Sequence, residues 1–150
     1  MTNNYFKEMI RLADSIADQA HSGQTDKIGR PHITHQRRVA FAAPENMRVE
    51  AQIVALLHDT VEDTGVTLDY LARYFSVSIV DAVDALTKRK GETLEQSIAR
   101  VRANELARLV KHADIADNTD PERTALLDEE TRERLAKKYT KSLTLLSLGE

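Results

Sequence analysis

Apolar residues recur along most of the chain at the three- and four-residue spacing of amphipathic helices. This spacing predicts helices over about residues 4–21, 34–42, 48–62, 78–87, 93–102, 105–118 and 128–146. Thr67 is expected to cap a further short helix that begins at Leu68. Because no stretch alternates as a strand, the chain is expected to be all-α, a single compact helical bundle over residues 1–150.

A loop interrupts the helical pattern after the first predicted helix. Gly23, Gly29 and Pro31 lie within residues 22–31 and mark irregular backbone. Elsewhere the five glycines and three prolines of the 150 residues leave a sequence dominated by good helix formers.

The composition excludes several classes of protein. Without cysteine the chain has no disulfide, thiolate metal site or cysteine nucleophile. No apolar run reaches about 18 residues and the start of the chain does not resemble a secretion signal, so a cytoplasmic protein without membrane contact is expected. The net charge of −3, with acids and bases interspersed, offers no basic surface for nucleic acid.

The strongest chemical signal lies in residues 55–64, where an apolar run leads into His58, Asp59, Glu62 and Asp63. Burial of such groups is costly unless they are paired or bind a metal. An adjacent imidazole and carboxylate can both reach one divalent cation, and the acids one helical turn later can orient a water for hydrolysis. The alternative is a helix end whose polar last turn is solvated.

Two further candidate ligands lie far away in the chain. His35 follows the loop, and Asp114 lies one turn beyond Val110, beside an apolar helix face. Asn118 follows Asp114 by four residues and shares its face. Two imidazoles with two carboxylates favour Mn²⁺, Fe²⁺ or Zn²⁺ over Mg²⁺ or Ca²⁺. The alternative for Asp114 is an exposed acid paired with a neighbouring base, Lys111 or Arg108.

In this order, the histidines and aspartates resemble those of the HD superfamily of metal-dependent phosphohydrolases. A narrower similarity, to the hydrolase domain of RelA/SpoT-type proteins, rests on His-Asp-Thr-Val-Glu-Asp-Thr at 58–64, Val-Lys-His-Ala-Asp at 110–114 and the loop segments 21–24 and 29–35. Leu-Thr-Lys at 86–88 adds to it. With no room for a synthetase or regulatory domain, the chain is expected to be similar to the stand-alone small alarmone hydrolases.

The resemblance implies hydrolysis of the 3′-pyrophosphate of an alarmone nucleotide, with release of pyrophosphate. It implies four ligands to one Mn²⁺ ion: His35, His58, Asp59 and Asp114. Two acids would position or deprotonate the attacking water: Glu62 and Asp63. Three polar residues would contact the nucleotide: Lys27, Lys88 and Asn118.

The chain departs from the family pattern beside the expected nucleotide site. Where the family commonly has Arg-Lys, this chain has Asp26-Lys27, and an aspartate cannot stack near a purine as that arginine does. The sequence therefore leaves guanosine and adenosine alarmones open as substrates. His32 replaces a family tyrosine, and Asp117 replaces a family histidine.

Other functions and contacts stay open at this level. A nucleotide phosphohydrolase of the 5′-nucleotidase type and a non-catalytic nucleotide-binding module are the alternatives. A basic cluster could either attract a polyphosphate or pair with nearby acids: Arg30, Arg37 and Arg38. The apolar face of the last predicted helix is either core or the surface of a possible homodimer: Leu135, Tyr139, Leu143 and Leu146.

Overall fold

Helices form nearly all of the regular structure in the computed structural model, which describes residues 3–149. The α-helices are, in chain order, α1 (Asn3–Ala20), α2 (Ile33–Phe41), α3 (Val49–Leu57), α4 (Thr60–Asp63), α5 (Leu68–Ala72), α6 (Val77–Leu86), α7 (Leu94–Arg102), α8 (Glu105–Asn118), α9 (Pro121–Thr124) and α10 (Glu129–Leu146). Within this range, strand-type pairing is limited to an isolated bridge between Thr25 and Pro31. The all-α prediction is confirmed.

Side-chain caps begin several of these helices where the sequence changes from polar to periodic. Thr67 accepts a hydrogen bond from the backbone N–H of Tyr70 at 3.1 Å, which confirms the predicted cap of α5. Thr93 and Gln96 form a reciprocal capping box at the start of α7. The short α9 and a 3-10 turn at Pro44–Asn46 are elements that the spacing did not predict.

The prediction of one continuous helix over residues 48–62 is wrong. α3 ends at Leu57 and α4 begins at Thr60, so His58 and Asp59 lie between two helices. Two side chains donate hydrogen bonds to carbonyls of the last turn of α3: His58 Nδ1 to Ala55 O and Thr60 Oγ1 to Leu57 O. Such bonds compete with the backbone pattern that would continue a helix.

α3 lies at the centre of the fold and is apolar on nearly every side. Its residues Val54, Leu56 and Leu57 are fully buried, and it packs against α1, α2, α6 and α8. Full burial of a leucine contributes about 1.5–3 kcal/mol relative to its exposure. The end of α3, which carries His58, is therefore held firmly inside the core.

α10 packs across α7 and α8 through part of its apolar face. Leu135 and Leu146 are buried within the chain, whereas Leu143 is exposed. Association of two copies through this helix stays a prediction. Over the residues described, no helix has the length and apolarity needed to cross a membrane.

Candidate active site and metal centre

Three of the four predicted ligands meet in the interior of the fold. His35 comes from α2, His58 follows α3, and Asp114 lies on α8. Their side chains are 5%, 6% and 10% exposed for His58, His35 and Asp114 respectively. Asp114 Oδ1 lies 2.8 Å from His35 Nε2 and 3.3 Å from His58 Nε2. The exposed alternative for Asp114 is therefore wrong, although Lys111 Nζ does lie 3.4 Å from its Oδ2.

Both histidines of this group are oriented by a partner on the ring nitrogen that faces away from Asp114. His35 Nδ1 lies 2.6 Å from Asp117 Oδ2, and His58 Nδ1 donates to the carbonyl of Ala55. With Nδ1 engaged, Nε2 of each ring is directed at the shared centre. This second layer of contacts is typical of metal-binding histidines. The donor set fits a divalent transition metal.

The charges of the group depend on one another. Burial acts to lower the pKa of His35, but its hydrogen bonds to Asp114 and Asp117 outweigh burial and raise that pKa to about 9. Burial acts to raise the pKa of Asp114, yet the contacts with His35 and His58 hold it well below its ordinary value. A bound cation would take the place of the protons that now balance these carboxylates.

Asp59, the fourth predicted ligand, lies at the edge of the buried trio. Its carboxylate is 26% exposed, and its Oδ2 lies 3.5 Å from His58 Nε2 and 3.4 Å from His32 Nε2. Burial acts to raise the pKa of Asp59, but His58 and then His32 bring it down to about 2. Asp59 thus remains ionised and lies between the trio and His32.

Glu62 and Asp63 line a cavity that is also lined by His35, Asp59 and Asp114. Partial burial raises the pKa of Glu62, and the negative charges of Asp59 and Asp63 add to this effect. A hydrogen bond from the backbone N–H of Lys88 to Glu62 Oε1, at 2.7 Å, opposes it without cancelling it. Partial burial and Asp59 also raise the pKa of Asp63. A carboxylate with a raised pKa is a better proton acceptor at neutral pH.

The cavity above the trio has a volume of about 400 Å³, which suits a small ligand. One part of its wall is polar and cationic: Lys27, Lys111, Lys138 and Arg123. Another part is apolar: Ile28, Leu127, Leu135 and Tyr139. Asn118 also lines the cavity, and its Nδ2 donates to Asp114 Oδ1 at 3.3 Å.

The three predicted nucleotide contacts are placed differently from one another. Lys27 and Asn118 line the cavity, whereas the side chain of Lys88 does not. The contribution of Lys88 is its backbone N–H, which fixes Glu62. The pKa of Lys138 is lowered mainly by burial and then by the positive charges of Lys111 and Lys27. Lys88 is close enough to add a smaller contribution in the same direction.

Several residues of the site were not found by sequence reasoning. Asp117 lies three residues after Asp114, on the same face of α8, and that spacing could have identified it. Lys138 and Tyr139 belong to α10, for which the sequence predicted only that the apolar face with Tyr139 is core or a homodimer surface. Arg123 lies in α9, which is too short to show a helical period in the sequence.

Arg123 is held between two carboxylates in the wall of the cavity. Its Nη1 lies 3.6 Å from Asp26 Oδ2 and its Nε lies 3.6 Å from Asp117 Oδ2. These two nitrogens are buried and make no hydrogen bond. The other oxygen of Asp26 closes the loop by accepting from the backbone N–H groups of Ile28 and Arg30, each at 3.0 Å.

The basic cluster suggested by the sequence is largely neutralised. Arg37 forms a two-point contact with Asp14, at 2.8 and 3.0 Å. Arg38 forms another with Asp117, at 2.8 and 3.2 Å. The pairing alternative is therefore confirmed for these two arginines.

The fold is that of a solved structure described as a metazoan ortholog of SpoT that hydrolyzes ppGpp. The match has a TM-score of 0.77 and covers 99% of this chain and 88% of that one, at 21% identity. The chain therefore has the helical fold of that protein, with a buried histidine and aspartate group that could hold a metal ion.

Curated protein sequences that are similar to this chain identify its family. A probable GTP pyrophosphokinase of Mycobacterium leprae is 34% identical over 85% of this chain, and a guanosine-3′,5′-bis(diphosphate) 3′-pyrophosphohydrolase of Aquifex aeolicus is 31% identical over 87%. The bifunctional (p)ppGpp synthase/hydrolase SpoT of Escherichia coli K12 is 38% identical over 53%. The chain belongs to the HD-type hydrolase domains of RelA/SpoT proteins.

These relatives are much longer than the chain, which spans 18%, 20% and 11% of their respective lengths. Their names therefore describe proteins of which only one segment is matched. No protein-family model matches the chain.

Proposed function

We propose that the chain is a metal-dependent pyrophosphohydrolase that removes the 3′-pyrophosphate of a purine alarmone nucleotide, either (p)ppGpp or its adenosine counterpart. The observation that carries this proposal is the convergence of His35, His58 and Asp114 at the base of a cavity with a cationic wall. The relatives named as guanosine-3′,5′-bis(diphosphate) 3′-pyrophosphohydrolases supply the class of substrate.

Four side chains would hold the cation, for which Mn²⁺ is the first choice: His35, His58, Asp59 and Asp114. The cation would lower the pKa of a water and offset negative charge at the attacked phosphorus. His35, Asp59 and Asp114 line the cavity, and so do Glu62 and Asp63, so an ion held by these ligands would lie beside the two acids.

Glu62 and Asp63 would accept the proton of the attacking water. The raised pKa of each carboxylate favours proton uptake near neutral pH. Glu62 is the better candidate for the base, because the N–H of Lys88 fixes one of its oxygens and leaves the other free to accept the proton.

The lysines of the cavity would bind the phosphate groups. Lys27, Lys111 and Lys138 surround one region, and their mutual repulsion contributes to lowering the pKa of Lys138. An array of like charges is unfavourable without a counter-charge, so a ligand with several phosphates relieves it. Charge-assisted hydrogen bonds from ammonium groups to phosphate oxygens would supply much of the affinity.

The nucleoside would lie along the apolar wall near Leu127, Leu135 and Tyr139. Asp26 is occupied by the loop and by Arg123, so it does not contact the base in this arrangement. Arg123, from α9, contributes a planar guanidinium to the lining of this cavity. A guanidinium can stack on a purine or form hydrogen bonds with it.

A product assay tests the proposal. Protein loaded with Mn²⁺ is incubated separately with guanosine and adenosine nucleotides that carry a 3′-pyrophosphate, and the products are separated by ion-exchange chromatography. Release of pyrophosphate together with the nucleotide lacking it supports the proposal, and the two rates give the base preference. Release of inorganic phosphate alone would indicate a phosphomonoesterase of the 5′-nucleotidase type. Saturable binding without turnover would indicate a non-catalytic module.

A further inference from the structure

A second group of metal-binding side chains lies beside the trio. It consists of His32, Asp59 and Asp63, whose ligand atoms all lie within 4.8 Å of one another. Unlike the trio, this group is partly exposed, and all three residues line the cavity. The two groups have no residue in common, but they lie next to each other.

Asp59 connects the two groups. Its Oδ2 lies 3.4 Å from His32 Nε2 on one side and 3.5 Å from His58 Nε2 on the other. Carboxylates in such positions bridge pairs of ions about 3.5–4 Å apart in two-metal hydrolases. The break between α3 and α4 makes this possible, because Asp59 projects from a turn and not from a continuous helix.

His32 is held with its Nε2 directed at Asp59. This nitrogen is buried and makes no hydrogen bond. The ring packs against His21, with the centroids 4.5 Å apart, and the backbone N–H of His32 donates to Gln24 O at 2.9 Å. His21 is itself fixed through a hydrogen bond between its Nδ1 and Gln24 Oε1 at 2.8 Å. Beyond the 3.4 Å contact with Asp59, this buried nitrogen makes no hydrogen bond, and an imidazole with two nearby carboxylates is a ligand set that a divalent cation can use.

Asp63 completes the group from the first turn after the break. It is exposed, and its hydrogen bonds use its backbone: the N–H donates to Asp59 O at 3.0 Å, and the carbonyl accepts from Gln24 Nε2 at 3.2 Å. Its carboxylate is therefore available to a ligand in the cavity. Three protein ligands on the cavity side leave coordination positions for water or phosphate oxygens.

We propose that His32, Asp59 and Asp63 bind a second divalent cation, with Asp59 shared between it and the ion held by the buried trio. One imidazole and two carboxylates suit Mn²⁺, Fe²⁺ or Zn²⁺. The proposal that this second site binds a cation does not depend on the proposed function. Only its use, to neutralise the phosphate groups of a bound nucleotide, rests on that function.

The test counts bound cations in the absence of any nucleotide. Metal-free native protein is titrated with Mn²⁺ by calorimetry, and bound manganese is counted by elemental analysis after gel filtration. The expected result is two equivalents for the native protein and one for His32→Phe. His112→Gln is the matched control, because it removes an imidazole outside both groups, and it should retain two.

Asp63→Asn provides a second variant at an exposed position, in case the ring at position 32 is needed for folding. It should also bind one equivalent and keep the far-ultraviolet circular dichroism of the native protein. In the native protein, electron paramagnetic resonance should show two manganese ions coupled through the shared carboxylate.

One equivalent in the native protein, unchanged in both variants, would overturn the proposal. Loss of all manganese in either variant would also overturn it, because the residue would then belong to a single site. These outcomes do not depend on turnover. A protein that binds two cations and does not hydrolyse alarmones would refute the proposed function alone.

Discussion

Asp117 Oδ2 lies 2.6 Å from His35 Nδ1, while Nε2 of the same ring faces Asp114 at 2.8 Å. The ring is thus fixed from one side by a carboxylate that does not reach the metal centre. Asp117 is also bound by Arg38, so its own position is determined by two partners. Burial acts to raise the pKa of Asp117, but these two partners bring it down to about 2.

Asp117→Asn is expected to weaken Mn²⁺ binding by about 10- to 100-fold, as loss of an orienting partner does at other metal sites. The variant keeps the size of the side chain but removes the charge that orients and polarises His35. The dissociation constant measured by calorimetry checks this. Asp81→Asn, an exposed aspartate on α6, is the control and should bind as the native protein does. Unchanged affinity in Asp117→Asn would show that the ring is oriented by packing alone.

Glu62→Gln is expected to lower kcat by about 100- to 10,000-fold, the usual contribution of a general base. The amide can still accept the hydrogen bond from the N–H of Lys88, so the local structure should persist. The variant should bind as much Mn²⁺ as the native protein and show a similar KM. Glu133→Gln, at an exposed position of α10, serves as the control. If only Asp63→Asn abolished turnover, the assignment of the base to Glu62 would be wrong.

Arg123→Lys is expected to raise KM for the nucleotide by about 10- to 100-fold, the effect of losing a hydrogen bond to a charged group. Lysine keeps the charge but not the planar guanidinium, so kcat should change much less than KM. Initial rates over a range of nucleotide concentrations separate the two constants. Arg134→Lys, exposed on α10, should change neither. An equal loss in kcat with KM unchanged would contradict a role in binding.

The pair of Glu92 and Arg100 is expected to make stability depend on acid pH. Hydrogen bonds from Arg100 and from the N–H of Arg89 hold the pKa of Glu92 at about 2, below its ordinary value of 4.5. Its contribution is therefore complete above pH 4.5 and is lost as the pH falls towards 2. Arg100 also donates to Thr87 O, next to the Lys88 that fixes Glu62.

Urea unfolding of metal-free protein at pH 5 and pH 3 measures this dependence. The free energy of unfolding should fall less between the two pH values in Glu92→Gln than in the native protein, because the amide does not titrate. An identical decrease in both proteins would show that Glu92 is not protected by Arg100 in solution.

Sequence reasoning reached the residues whose local context is chemically unusual. His58 and Asp59 follow a fully apolar run, and Asp114 interrupts an apolar helix face, so each signals a buried polar group. The same reasoning missed the helix break at Leu57, because helical periodicity does not register that His58 and Thr60 donate to carbonyls of α3. Side-chain competition of this kind is decided by geometry and not by propensity.

The opposite wall of the cavity could not be predicted for a different reason. Arg123, Lys138 and Tyr139 reach it because α9 and α10 fold back over α8, and nothing in their own spacing encodes that direction. Lys88 shows a further limit of sequence patterns: its backbone N–H fixes Glu62, a contribution that any residue except proline provides, whereas the contact of its side chain with a nucleotide stays a prediction.

Because the trio draws one residue each from α2, from the end of α3 and from α8, a bound ion would join segments up to 79 positions apart. An ion that binds only the folded chain stabilises it by about 4 kcal/mol at 1,000 times its dissociation constant. That is a large part of the 5–15 kcal/mol typical of a whole domain. Removal of the metal by a chelator should therefore lower the melting temperature. In a cell that lacks the metal, more of the chain would be unfolded and open to proteases, so the amount of the protein would fall together with its activity.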